Sequence, residues 1–402
     1  MDPPLVGETS YAGSARRALA GFFLSGMLFA TLGAVLPAWR HHLTSDYVLI
    51  GNYFLSVASG VVAGLKLAPM LLSKKGISIT LVVASAIACA AYMFLAGVCP
   101  PHSGWWRVLG LFWIGASTGL LNTALFHALT PAYRLNPAAT VNLAGVLLGL
   151  GCFTSTLFLA NTFYTYTVPS ILIFLGVIPG FFAIHYAGTS FDSRPLPPQP
   201  TWGEALSDFK SLGALLFALL LFFQFGNEGA VAGWLAMLLI QRLGLSPETS
   251  LILLALYWLA LLLGRMAAQA LLPRLNHGKL LFASVLGALF GCIILVSTNN
   301  TFGATTAVLL TGGGFAMISP LVIERVGSRF PYFHPGFFNG IFSVGLLGGL
   351  LAPASLGYCA AWFGVWVVMV LPVLGSGMVL LLLALLWLER RLTTTGEARI
   401  HV

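Results

Sequence analysis

Glu228 is the only carboxylate deep inside a long apolar run, at 211–240. A carboxylate in such a place can exchange a proton, accept hydrogen bonds from the hydroxyls of a bound molecule, or pair with a buried base. Gln224 and Asn227 are three residues apart and Glu228 follows at once, so all three share one broad helical face. Trp234, seven residues beyond Asn227, adds an indole to that side. Two amides, a carboxylate and an indole suit a hydroxyl-rich molecule, held by hydrogen bonds and ring stacking. Asn122, Asn142 and Asn339 are further amides inside apolar runs, and Tyr257-Trp258 add two rings in another. Each residue also has a plainer use. Amides bridge helices, indoles face lipid or the interfacial belt, and an acid can be a satisfied ion pair.

The elements that must hold these side chains follow from composition. Of 402 residues, 58% are hydrophobic and 7% charged, too few charges to cover a large soluble globule. Charge clusters, Pro/Gly breaks and turn residues cut the chain into twelve apolar segments. They lie at 20–39, 47–72, 77–98, 106–130, 138–161 and 167–187, then 211–240, 247–272, 278–298, 302–323, 335–359 and 363–388. At about 1.5 Å per residue each is long enough to cross a bilayer core as a helix. The chain is therefore read as an all-α membrane protein, and its 45 glycines suit helices packed through small residues.

Placing the N-terminus in the cytoplasm puts fourteen of the 19 Lys and Arg residues in inside loops and tails. Only Arg40, Arg107 and Arg242 fall outside, while Lys66 and Arg265 lie within spans. This positive-inside bias predicts two cytoplasmic termini in a plasma or inner membrane. Arg16-Arg17 before an apolar run imitates a signal peptide, but the run continues to Pro37 without a small-x-small cleavage site. The polar segment 188–210, with Arg194-Pro195-Leu196-Pro197-Pro198, reads as a cytoplasmic linker. It separates a six-helix bundle at 1–187 from a second bundle and short tail at 211–402.

The two parts repeat. Phe22-Phe23-x-x-Gly26 recurs as Phe222-Phe223-x-x-Gly226, and Gly33, Gly64, Leu72 and Lys74 match Gly233, Gly264, Leu272 and Arg274 at an offset of 200. Asn142 followed by Gly149 resembles Asn339 followed by Gly345. Two six-helix repeats of one topology are related by an axis along the membrane normal, which places a binding site near the midplane between them.

Twelve spans, a central linker and parallel repeats resemble the major facilitator superfamily over essentially the whole chain. The fucose/glucose permease-like branch is most similar. Its first helix resembles Phe22-Phe23-Leu24-x-Gly26 through Leu36-Pro37, and its fourth resembles Gly119-Leu120-Leu121-Asn122-Thr123-Ala124. Its fifth, seventh and eighth resemble Asn142-Leu143-Ala144 through Gly151, Gly226-x-Glu228 with Trp234-Leu235, and Gly264-Arg265. The resemblance implies transport, and it implies gating roles for charges near the cytoplasmic side. Those charges are Arg265, Lys66, and Lys74 and Lys75 in the loop Leu72-Ser73-Lys74-Lys75-Gly76, which lacks the superfamily's usual acid. Departures matter too. The proton-linked fucose permease has acids where this chain has Gly33 and Asn122, and polar residues where it has Gly145 and Leu148. Its proton pathway does not carry over, which leaves Glu228 as the candidate for coupling.

Other patterns carry less. His41-x4-Asp46 has the spacing of an acyltransferase motif without companion motifs, and Gly312-Gly313-Gly314 lacks the Lys and Ser/Thr of a phosphate-binding loop. Five cysteines show no CxxC spacing, and His127 reads as a polar packing residue. No cofactor, metal, nucleic acid or catalytic domain is expected. The expected function is movement of a small organic solute, a sugar or polyol, by alternating access in a single chain, with Glu228 taking a proton or with uniport. The alternatives are export of amphipathic compounds or drugs, suggested by apolar replacements such as Leu148, and a membrane receptor that binds a solute without moving it.

Overall fold

The computed structural model describes residues 6–135, 137–191, 209, 211–271, 274–330 and 340–400. All regular elements among them are helices. They are α1 (Val6–Ala38), α2 (His41–Thr44), α3 (Tyr47–Gly97), α4 (Gly104–Leu135), α5 (Pro137–Thr162) and α6 (Val168–Ala187). After the polar segment come α7 (Leu212–Leu243), α8 (Pro247–Leu271), α9 (His277–Ser297), α10 (Thr301–Arg329), α11 (Gly340–Phe363) and α12 (Val367–Ile400). Most of the 188–210 linker lies outside the described residues, as does Asn339.

Eleven of these helices are long and apolar enough to cross a membrane. The count becomes twelve crossings because α3 contains two. Its 51 residues would reach about 76 Å as one helix, over twice a bilayer core. At Gly76 the backbone leaves the helical region, with φ 80° and ψ 178°, a conformation that glycine alone adopts freely. Contacts with α4 prove the reversal. Glycines at 115 and 119 press on the carbonyls of Val57 and Val61, so this part of α3 runs parallel to α4. Beyond Gly76 the order inverts, with Ser117 donating to Ala84 O at 2.8 Å and Gly110 lying against Leu95.

Loops are closed by local polar groups. Asp46, Asn276 and Asn300 cap the starts of α3, α9 and α10 by accepting from Leu49 N, Gly278 N and Gly303 N. Gly244, at φ 64°, ends α7.

The duplication is written into the packing. Gly151 of α5 seats on Phe23 O of α1, and Gly348 of α11 seats on Phe222 O of α7. Gly115 of α4 seats on Val57 O of α3, and Gly312 of α10 on Tyr257 O of α8. A methyl group at any of these glycines would collide with backbone, so equivalent helices in the two repeats approach at equivalent places.

Across the seam between repeats, α5 packs on α8, α3 on α11, and α1 on α7. Exposed aromatics Trp105, Trp106, Tyr164, Tyr166, Trp362 and Trp366 ring the end that carries Trp39. Lys74, Lys75, Arg274, Lys279, Arg325 and Arg390 gather at the other end, with the helix ends nearest the termini.

Candidate functional site

Glu228 lies midway along α7 and is a hub of contacts. Its Oε1 accepts from Gln224 Nε2 at 2.8 Å, one helical turn earlier, and from Ser319 Oγ of α10 at 2.8 Å. Its Oε2 lies 3.7 Å from Arg265 Nη2 of α8, and the two side chains are 15% and 11% exposed. A buried guanidinium and carboxylate stay charged at tolerable cost only with such mutual and hydrogen-bonded support.

Arg265 then reaches across the seam. Its Nη1 donates to Gly145 O of α5 at 2.8 Å, and Asn142 Nδ2 donates to Arg265 O at 3.0 Å. A Cβ at position 145 would sit 2.7 Å from that Nη1, so the bare backbone of Gly145 makes room for the guanidinium. One arginine thus ties a carboxylate in one repeat to a carbonyl in the other.

Polar atoms around this pair are buried with no partner: Gln224 Oε1, Asn142 Oδ1, Tyr257 Oη, Trp258 Nε1 and Arg265 Nε. Trp258 also meets Phe29 of α1 edge-on at 5.8 Å, across the seam. Unpartnered buried groups are costly, and a native site keeps them only when something else satisfies them. Acceptors and donors are mixed here, which is what a hydroxyl, able to give and take, would match.

The other expected site residues lie elsewhere. Asn227, one residue before Glu228, turns away to α12, with Nδ2 3.5 Å from Ser376 Oγ and its amide against Gly375. Trp234 is fully buried near the Trp39 end, donating to Pro353 O at 2.9 Å and stacked on Phe54 at 5.8 Å. Asn122 accepts from Ser25 Oγ at 2.8 Å, tying α4 to α1. Lys66, Lys74 and Lys75 are exposed. Ser319 was not signalled by the sequence, since one hydroxyl in a span rich in small residues has no distinguishing pattern.

The Trp39 end of the seam is sealed. Tyr47 Oη donates to Gln241 Oε1 at 2.9 Å, and Gln241 Nε2 donates to His42 O and Ser45 Oγ, each at 3.3 Å. Tyr358 Oη donates to Asn52 Oδ1 at 2.7 Å, beside the backbone approach of Gly51 to Gly357. Gly33 presses on Ala232 O, and its repeat mate Gly233 lies against the Phe54 ring.

No protein-family model matches the chain. It is similar to an uncharacterized MFS-type transporter of Yersinia pestis, 21% identical over 345 residues, covering 84% of this chain and 87% of that one. Among solved structures it is similar to the E. coli fucose:proton symporter FucP, at 15% identity and TM-score 0.63, covering 94% of this chain and 99% of FucP. It is also similar to a D-xylose-proton symporter, at 15% identity and TM-score 0.72 over 92% of this chain and 97% of that one. The nucleoside transporter NupG gives 13% identity and TM-score 0.68 over 93% and 99%. The fold that the sequence resemblance implies is therefore borne out: the chain is a multi-pass membrane protein of the major facilitator fold, similar in sequence to an MFS-type transporter.

Proposed function

We propose that the chain moves a sugar or related polyol across the membrane, coupled to a proton at Glu228. The observation that carries this reading is the Glu228–Arg265 pair of the C-terminal repeat, tied through Arg265 to Gly145 O of the N-terminal repeat and ringed by unpartnered donors and acceptors. Hydroxyls entering the seam would satisfy Gln224 Oε1, Asn142 Oδ1, Tyr257 Oη and Arg265 Nε, and Trp258 offers an apolar face for a ring. Solved proteins of the same fold are named as fucose and xylose proton symporters, which supports that substrate class.

The coupling follows from electrostatics. While Glu228 is ionised it holds Arg265 from the α7 side, and Gly145 O holds it from the α5 side. A proton on Glu228 removes the charge that partners Arg265 and leaves the guanidinium to the other repeat and to solute. Residues 1–187 and 211–402 then rock as two bodies around this point. With both termini cytoplasmic, in line with the Lys and Arg residues gathered at their end, the sealed Trp39 end faces outside. Gly33 and Asn122, which replace acids of the fucose permease, leave Glu228 as the proton carrier.

The test is uptake of radiolabelled glucose and fucose into proteoliposomes, with and without an inward proton gradient. Saturable uptake that the gradient drives above the outside concentration is expected for at least one sugar. Folded protein that moves neither sugar but binds lipophilic cations such as tetraphenylphosphonium would overturn the reading in favour of an exporter.

A further inference from the structure

Away from the seam, the Trp39 end of the N-terminal repeat holds a second buried cation, one with no carboxylate partner among the described residues. Arg107, near the start of α4, is 5% exposed, yet its Nε and Nη1 have no partner. Its Cζ lies 5.2 Å from the Trp39 ring centre and 5.8 Å from that of Tyr53. His41, 4% exposed, closes the group, its ring 5.3 Å from Tyr53 and 6.5 Å from Trp39. Trp39 Nε1, Tyr53 Oη and both His41 nitrogens are likewise buried without a well-formed hydrogen bond, Trp39 Nε1 facing the Cys99 thiol and Tyr53 Oη facing the Arg107 guanidinium.

Ring faces attract a guanidinium but do not accept its N–H bonds. The unsatisfied inventory is almost all donors: two N–H groups of Arg107, the indole N–H, the phenol O–H and one imidazole N–H. Among the described residues no carboxylate forms an ion pair with Arg107; Asp46, the nearest acid in sequence, is exposed and caps α3. Burial pushes the Cys99 thiol up, so it supplies no negative charge either. A positive, donor-rich, desolvated cluster calls for an anionic acceptor small enough to sit among four side chains.

We infer that Trp39, His41, Tyr53 and Arg107 form a binding site for a small monovalent inorganic anion of chloride size. This site is separate from the proposed solute site and does not depend on that reading. Its position gives it a structural consequence. His41 begins α2, whose next residues carry the His42 and Ser45 contacts to Gln241, so an anion here braces the loop that seals the two repeats.

His41 makes the binding pH-dependent. Burial, and then the Arg107 charge, lower it from 6.5 to about 4, against a smaller opposing pull from Asp46. Its neighbours that titrate or carry charge are Arg107 on α4, His42 on α2, Asp46 at the cap of α3, and Tyr53 on α3. A depressed histidine contributes stability that is present above 6.5 and lost as pH falls from 6.5 towards 4. An anion favours the imidazolium, so its stabilising effect grows as pH falls through that window.

The experiment is thermal unfolding of the purified full chain at constant ionic strength, exchanging gluconate for chloride, together with radioactive chloride binding at equilibrium. A saturable rise in Tm, larger at pH 5.5 than at pH 8, and one bound chloride per chain are expected. Arg107→Met abolishes both effects. His41→Asn keeps binding about tenfold weaker and flattens its pH dependence. Should Arg107→Met not fold, the wild-type stoichiometry and the His41→Asn profile decide alone. Wild-type protein indifferent to chloride, or a chloride effect retained in Arg107→Met, would overturn the inference.

Discussion

The two repeats share a backbone plan and differ in where they put charge. Counted at the 200-residue offset, Gln224, Glu228 and Arg265 of the C-terminal repeat stand where the N-terminal repeat has Leu24, Leu28 and Leu65. Leu24 and Leu28 are buried in helix packing, whereas their counterparts form a hydrogen-bonded ionic cluster. What the N-terminal repeat gives this ionic cluster is backbone and amide: Gly145 O and Asn142. The symmetric glycine contacts build the scaffold, and the asymmetric polar set supplies the chemistry. Charged departures set within shared backbone contacts locate a site better than any single unusual residue.

That contrast can be attacked directly. Glu228→Leu alone leaves Arg265 buried without its acid, and is expected to cost about 3 kcal/mol in detergent unfolding. Adding Arg265→Leu makes the C-terminal repeat resemble its partner and should recover most of that loss, while proton-driven uptake stays absent. A double variant as unstable as the single one would show that the pair is not an energetic unit.

A milder test addresses the shared scaffold. Gly151→Leu and Gly348→Leu force side chains against Phe23 O and Phe222 O, and each should destabilise by about 2 kcal/mol. Similar losses in both, read from unfolding midpoints, sharpen the symmetry. A loss in one alone breaks it.

Much of this architecture was legible in the residues, because membrane spans declare themselves by length and hydropathy and a lone membrane acid is conspicuous. Glu228 stands out in the sequence for that reason. The limits came from geometry that one dimension does not carry. Arg265 read as a gating charge, but its guanidinium meets Glu228 because α7 and α8 pack so that residues 228 and 265 face each other. Asn227 shares a broad face with Glu228 in sequence, yet one residue is about 100° of helix rotation, and it points to Ser376 of α12. The same step separates exposed Lys66 from Leu65, the true counterpart of Arg265. Ser319 and the Gly145 carbonyl were invisible because a small hydroxyl and a glycine backbone gain meaning only from what approaches them. The Arg107 cluster has no signature in one dimension because Trp39-x-His41, Tyr53 and Arg107 come from three separate stretches of chain.

The account rests most heavily on Glu228 as the point where proton and solute movement are joined. Gradient-driven accumulation requires the proton to leave Glu228, whereas solute exchange across the membrane at zero gradient requires only that the repeats rock. Both should therefore be measured in Glu228→Gln proteoliposomes with the transported sugar. With Glu228 as the proton carrier, accumulation is lost while exchange persists; accumulation at the wild-type level in that variant would show that the proton travels elsewhere.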